Sequence, residues 1–74
     1  MAKKSSNAVY RITEVIGTSA DSWEDAARNA VKTAGGTLRD LRIAEVTKLD
    51  VRIDENGKIA QFRARLALSF KYDT

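Results

Sequence analysis

The stretch DVRIDENGK, from Asp50 to Lys58, sets Asp50, Asp54, Glu55 and Asn56 close together, oxygen donors of the kind that ligate a hard divalent cation. An EF-hand loop needs acidic or amide residues at alternate positions leading to its glycine, and Arg52 stands at one of them. A looser calcium site stays open, with Asp50 and Asp54 as metal ligands on one strand face. The plainer use of the same residues is a solvated hairpin end neutralised by Arg52 and Lys58. Further along, Arg63 and Arg65 could clamp a phosphate or pair across strands with Glu45 and Asp50, and pairing is the simpler expectation. Gly17-Thr18-Ser19 precedes a helix and could hold an anion at its N-terminus, yet it lacks the glycine spacing of a dinucleotide or P-loop motif, so plain capping is expected. Trp23 falls on the apolar stripe of that helix and is expected to anchor it to a sheet rather than to stack on a ligand.

What the chain lacks narrows the chemistry further. It has no cysteine and no histidine, which removes disulfides, thiolate or imidazole metal sites, nucleophilic cysteine, histidine acid/base catalysis and the Ser-His-Asp triad. The expectation is a protein that is not an enzyme. The formal net charge is +3, but Lys3 and Lys4 sit in a polar N-terminal arm and the other basic residues alternate with acids. Without a dense basic stripe and interleaved aromatics, the pattern argues against nucleic acid as a partner. No apolar run approaches membrane-span length and none resembles a signal-peptide core, so a cytoplasmic protein without a membrane partner is expected.

These groups must be carried by extended chain and one helix. Val9 to Ile16, VYRITEVI, is rich in β-branched residues and predicts a first strand ended by Gly17. Thr18, Ser19 and Ser22 offer helix-capping hydroxyls, and Asp21, Glu24 and Asp25 suit the positive end of the helix dipole. Trp23, Ala26, Ala27, Ala30, Val31 and Ala34 then follow a single helical stripe, with Gly35 and Gly36 predicting its end near Thr33 to Gly35 through a left-handed residue. A long second strand is predicted from Leu38 or Leu41 to Asp54. Its alternation sets Ile43, Leu49, Val51 and Ile53 against Arg42, Lys48, Asp50, Arg52 and Asp54. Asn56-Gly57 marks a hairpin into a third strand whose apolar set is Phe62, Ala64, Leu66, Leu68, Phe70 and Tyr72. The order is β-α-β-β, an α+β unit with one helix on a long antiparallel hairpin.

A chain of 74 residues buries too little apolar surface to be comfortably stable alone. Since disulfides and thiolate or imidazole metal sites are excluded, self-association to a homo-oligomer is the expected supplement, and exposed strand edges invite it.

The residues also carry a family likeness. GTSADSWEDAARNAV, followed by TLRDLRIAEV, the spacing on to NGK, and the closing LALSFK resemble the dodecins, over roughly Val9 to Lys71. The polar, aperiodic start of the chain is read as a disordered N-terminal arm over residues 1–8, and the resemblance implies a dodecin-like domain over residues 9–74. It further implies a three-stranded antiparallel sheet wrapped around one helix and assembled as a hollow homododecamer that binds or stores a small ligand. Flavin-type dodecins hold riboflavin, FMN or FAD in pairs at two-fold axes between aromatic rings. Where they carry a stacking tryptophan this chain has Ile43, and where they carry a glutamine on the third strand it has Arg63. Losing offset stacking worth roughly 0.5 to 1.5 kcal/mol per pair lowers flavin affinity by one to two orders of magnitude. The resemblance is closer to the calcium-type branch that lacks the tryptophan, with Asp50 and Asp54 as the candidate metal residues and a calcium-stabilised structural or buffering dodecamer as the alternative function.

Overall fold

The computed structural model describes residues 8–37 and 40–72. The expected N-terminal arm lies outside these residues except for Ala8, as does Leu38, the earlier of the two starts considered for the second strand. The chain forms β1 (Tyr10–Ser19), α1 (Trp23–Thr37), β2 (Leu41–Ile53) and β3 (Ile59–Lys71). They make one sheet in the order β1-β3-β2, with β3 antiparallel to both neighbours. The expected β-α-β-β architecture is the observed one.

β3 is the central strand because its alternation is the cleanest in the chain. Ala64, Leu66, Leu68 and Phe70 turn one way and are at most 1% exposed, while Arg63, Arg65 and Ser69 turn the other. α1 lays Ala26, Ala30 and Ala34 over that apolar face. Their small side chains bring the helix backbone against β1. A Cβ built on Gly17 would lie 2.0 Å from the Ala26 carbonyl oxygen and 2.8 Å from the Ala30 Cβ. Gly17 therefore does not end the first strand, as its type suggested. The strand runs on to Ser19, and the glycine makes room for the helix.

Ser22 is the helix cap. Its hydroxyl accepts the Asp25 N–H at 3.0 Å and its carbonyl accepts the Ala26 N–H at 3.0 Å. Buried Ser19 accepts the Asp21 N–H at 2.9 Å and donates to the Asp25 carboxylate at 2.8 Å, so the preceding turn is fixed to the first helical turn. At the other end, α1 continues past the expected stop to Thr37. Gly35 stays helical, and among the described residues the left-handed one that follows the helix is Asp40, at φ 65°. Packing of Ala34 on the sheet offsets the roughly 1 kcal/mol that a helical glycine costs, and aspartate is one of the few types that tolerate the left-handed region.

The hairpin forms where Asn56-Gly57 placed it, with a three-residue loop. The Asp54 N–H donates to the Lys58 carbonyl at 2.8 Å, the Gly57 N–H donates to the Asp54 carbonyl at 3.0 Å, and Gly57 takes φ 79°. Nothing lies within 4 Å of a Cβ added there, so only backbone strain opposes a side chain. Gly57→Ala is expected to cost about 1 kcal/mol, read as a modest drop in the urea midpoint with an unchanged slope.

β2 departs most from expectation. Its pairing with β3 slips between Leu41 and Ile43 and again between Val46 and Lys48. Each slip inserts a residue and exchanges the faces beyond it. Ile43 consequently lies opposite Ser69 on the face away from the helix, whereas Leu49 and Val51 lie opposite Ala64 and Phe62 on the helix side. The single aliphatic set drawn from strict alternation is thus divided. The helix packs mainly on β1 and β3. Val46 and Leu49 stay 47% and 52% exposed although they share the apolar face of the sheet. The radius of gyration, 15.7 Å, exceeds the roughly 11 Å of a compact chain this size, because the sheet extends beyond its helix.

Candidate functional site

Directly opposed residues of an antiparallel sheet share a face, so the register sorts the side away from the helix into rows. Running toward the hairpin they are Ile12, Ser69 and Ile43; Glu14, Ala67 and Glu45; Ile16, Arg65 and Lys48; Thr18, Arg63 and Asp50; then Gln61 and Arg52. An apolar row is followed by an acidic one, a basic one, and one neutralised by its own pair.

That pair is the best-formed polar contact of the face. Arg63 donates from Nε to Asp50 Oδ1 at 2.7 Å and from Nη2 to Oδ2 at 3.0 Å, a bidentate fork. These hydrogen bonds hold the Asp50 carboxyl below its ordinary value, against some desolvation and with help from the charges of Arg63, Arg65 and Lys48. The same partner raises the Arg63 guanidinium. The Asp50 backbone is held as well, its carbonyl accepting the Trp23 indole N–H at 2.9 Å. Because the folded-state value of Asp50 is depressed, its contribution to stability is present above the unfolded value near 3.8 and is lost as pH falls through the lower folded value. Both side chains are substantially exposed, so the effect is small and screened by salt. Asp50→Asn is expected to flatten the acid limb of the stability curve below pH 4 slightly, measured by urea unfolding at low ionic strength.

The fold brings some of the anticipated residues together and separates others. Arg63 pairs with Asp50, as cross-strand pairing predicted. Arg65 does not pair with Glu45, which lies opposite Ala67; the residue opposite Arg65 is Lys48. Ile43 and Arg63 belong to rows six residues apart along β3, roughly 20 Å at about 3.4 Å per residue. Within one subunit they cannot touch the same flavin ring. Asp54 sits in the hairpin turn, where Oδ1 accepts the N–H groups of Asn56 at 2.8 Å and Lys58 at 3.0 Å. Roughly 13 Å of extended chain separates it from Asp50, so the two carboxylates of one subunit are too far apart to share a calcium ion bound at about 2.3 to 2.6 Å. No cluster of three acidic, histidine or cysteine groups able to hold a metal occurs among the described residues. Ligation of either flavin or calcium by these positions needs groups from outside the subunit.

Trp23 anchors the helix start, but from the rim. It is 39% exposed and meets Phe62 edge-on, with ring centroids 5.1 Å apart and planes at 73°. Lys48 is the residue that sequence reasoning passed over. Nothing in the spacing marks it: strict alternation sets Glu45 and Lys48 on opposite faces, and they share one only because Thr47 stands as an extra residue between them, donating its hydroxyl to the Arg65 carbonyl at 3.2 Å.

The β-α-β-β unit and its banded sheet define the class to which comparison with known proteins also leads. The family model described as Dodecin matches residues 9–73. The chain belongs to the dodecin family. It is 44% identical over 63 residues to the calcium dodecin of Mycobacterium tuberculosis, across 85% of this chain and 87% of that protein. Among solved structures, dodecin from Streptomyces coelicolor superposes with a TM-score of 0.84 at 43% identity, covering 93% of this chain and 97% of that one. The M. tuberculosis protein, described as a calcium chelating immunodominant antigen with a novel calcium-binding site, gives a TM-score of 0.77 at 43% identity, covering 88% and 91%.

Proposed function

We propose that this chain is a non-enzymatic binding or storage protein that assembles as a hollow homododecamer, with its ligand positions completed between subunits. One observation carries the reading: the lone subunit leaves Ile12, Ile16, Ile43, Val46, Leu49 and Ile53 between 47% and 66% exposed on a long open sheet. Apolar exposure of that extent marks surface meant to be covered, and copies of the same chain are the partner that family membership supports. The described residues contain no helix long and apolar enough to cross a membrane. We place the particle in the cytoplasm.

The flavin position is modified and weak. Ile43 offers contact to a flat ring without stacking, and the Arg63 guanidinium is engaged by Asp50 rather than directed at a ligand. Titrating riboflavin, FMN or FAD while following quenching of flavin fluorescence is expected to give weak binding. Sub-micromolar affinity refutes a degraded site.

A calcium-stabilised structural or buffering particle is the second reading, favoured by the 44% identity to a protein named calcium dodecin. Asp50 and Asp54 are its proposed ligands, each supplemented by a neighbouring subunit. A ligand that binds only the folded form raises the melting temperature by mass action. Millimolar calcium should therefore raise it and Asp50→Asn should diminish the rise, whereas no shift at that concentration removes this reading.

A further inference from the structure

We propose that the row formed by Ile16, Arg65 and Lys48 is an anion site that takes a phosphate group. Three observations meet there. Lys48 stands directly opposite Arg65 on the neighbouring strand, an arrangement that is destabilising unless something neutralises it. Among the described residues no carboxylate lies within ion-pair distance of either side chain: of the acids one row away, Asp50 has both oxygens on Arg63, and Glu14 and Glu45, on the other side, form no ion pair with Arg65 or Lys48. Finally, half-buried Arg65 borders an open cavity of about 450 Å³, shared with Glu14, Val15 and Ile16, which is ample for a tetrahedral oxyanion.

The charge balance of the face directs an anion to this row. From it to the hairpin the face carries Lys48, Arg52, Arg63 and Arg65 against Asp50 alone, an excess equal to the whole formal charge of the chain, +3. Arg52 is turned aside to the Gln61 amide oxygen at 3.1 Å, and Arg63 is committed to Asp50. Arg65 and Lys48 remain, a planar fork and a compact point charge, the two groups that together suit a phosphate. Glu14 lies in the next row, beside Ala67, and bounds the cavity on its acidic side.

The test uses the full chain in its native assembly. Melting temperature is followed in inorganic phosphate, in a nucleoside monophosphate and in chloride, at matched ionic strength, for the wild type and for Lys48→Glu. That substitution places a carboxylate opposite Arg65, so it supplies the missing counter-ion internally and preserves the fold. The wild type is expected to melt higher in phosphate than in chloride. Lys48→Glu should melt higher than the wild type in chloride and bind phosphate at least about tenfold more weakly. A response to both phosphate probes identifies free phosphate as sufficient, and a response to the nucleotide alone assigns the site to phosphate esters. Equal melting of the wild type in phosphate and chloride overturns the proposal, as it would if carboxylates of another subunit neutralised the row. An undiminished phosphate response in Lys48→Glu also overturns it. Native mass, recorded on the same samples, separates failure of this site from failure of the assembly.

Discussion

Replacing Gly17 by alanine is expected to be the most damaging single-methyl change in the chain. The new Cβ would stand 2.0 Å from the Ala26 carbonyl oxygen and 2.8 Å from the Ala30 Cβ. The first neighbour is helix backbone and cannot rotate away. Relief requires α1 to lift from β1, which opens the contact of Ala26, Ala30 and Ala34 with β3, and that contact is the core of the subunit. Overpacking of this kind costs typically 1 to 3 kcal/mol, and the immovable neighbour puts Gly17→Ala at about 3 kcal/mol or more. In a domain of marginal stability that is a large fraction of the total. The measurement is the urea midpoint, or the loss of soluble protein where the variant does not fold. Gly35→Ala is the matched control. Gly35 lies in the helix with nothing within 4 Å of an added Cβ, so alanine there should raise stability by up to about 1 kcal/mol. Equal behaviour of the two variants would show that the helix does not lie against β1 as described.

The second large effect is on association. Leu49 shares the helix side of the sheet with Ala64, yet α1 leaves it 52% exposed. A charge at such a position costs an isolated subunit little, since substitutions at exposed sites mostly stay within about 0.5 kcal/mol. In an assembly that covers Leu49, the same charge is buried without a partner, a penalty of about 3 kcal/mol or more for each copy. Leu49→Asp should therefore yield a smaller species at dilution while secondary structure by circular dichroism persists. An unchanged mass would show that this strip faces solvent in the assembly.

How far the sequence could be read depended on how strongly each strand was tied to one core. β3 was legible to the residue because it is central and one side is sealed by alanines, so Ala64, Leu66, Leu68 and Phe70 had to alternate with polar positions. The hairpin was legible because glycine after asparagine has a specific backbone use, which Gly57 fulfils at φ 79°. β2 was not, because nearly all its side chains are exposed in the subunit and no core constrains which face each residue takes. Three slips could enter there, and the one between Val46 and Lys48 puts Ile43 on the opposite side from Leu49. The candidate ligand positions suffered most from this, since Ile43, Asp50 and Lys48 are all on β2. Gly17 was misread for a different reason. Glycine at a strand end and glycine beneath a helix look the same in sequence, and only the distance to Ala26 tells them apart.

Subunits that complete one another are the central claim, and native mass at low micromolar concentration tests it most directly. A single species of about twelve times the 8.2 kDa of the chain is expected. A well-folded species at the mass of one chain would contradict it.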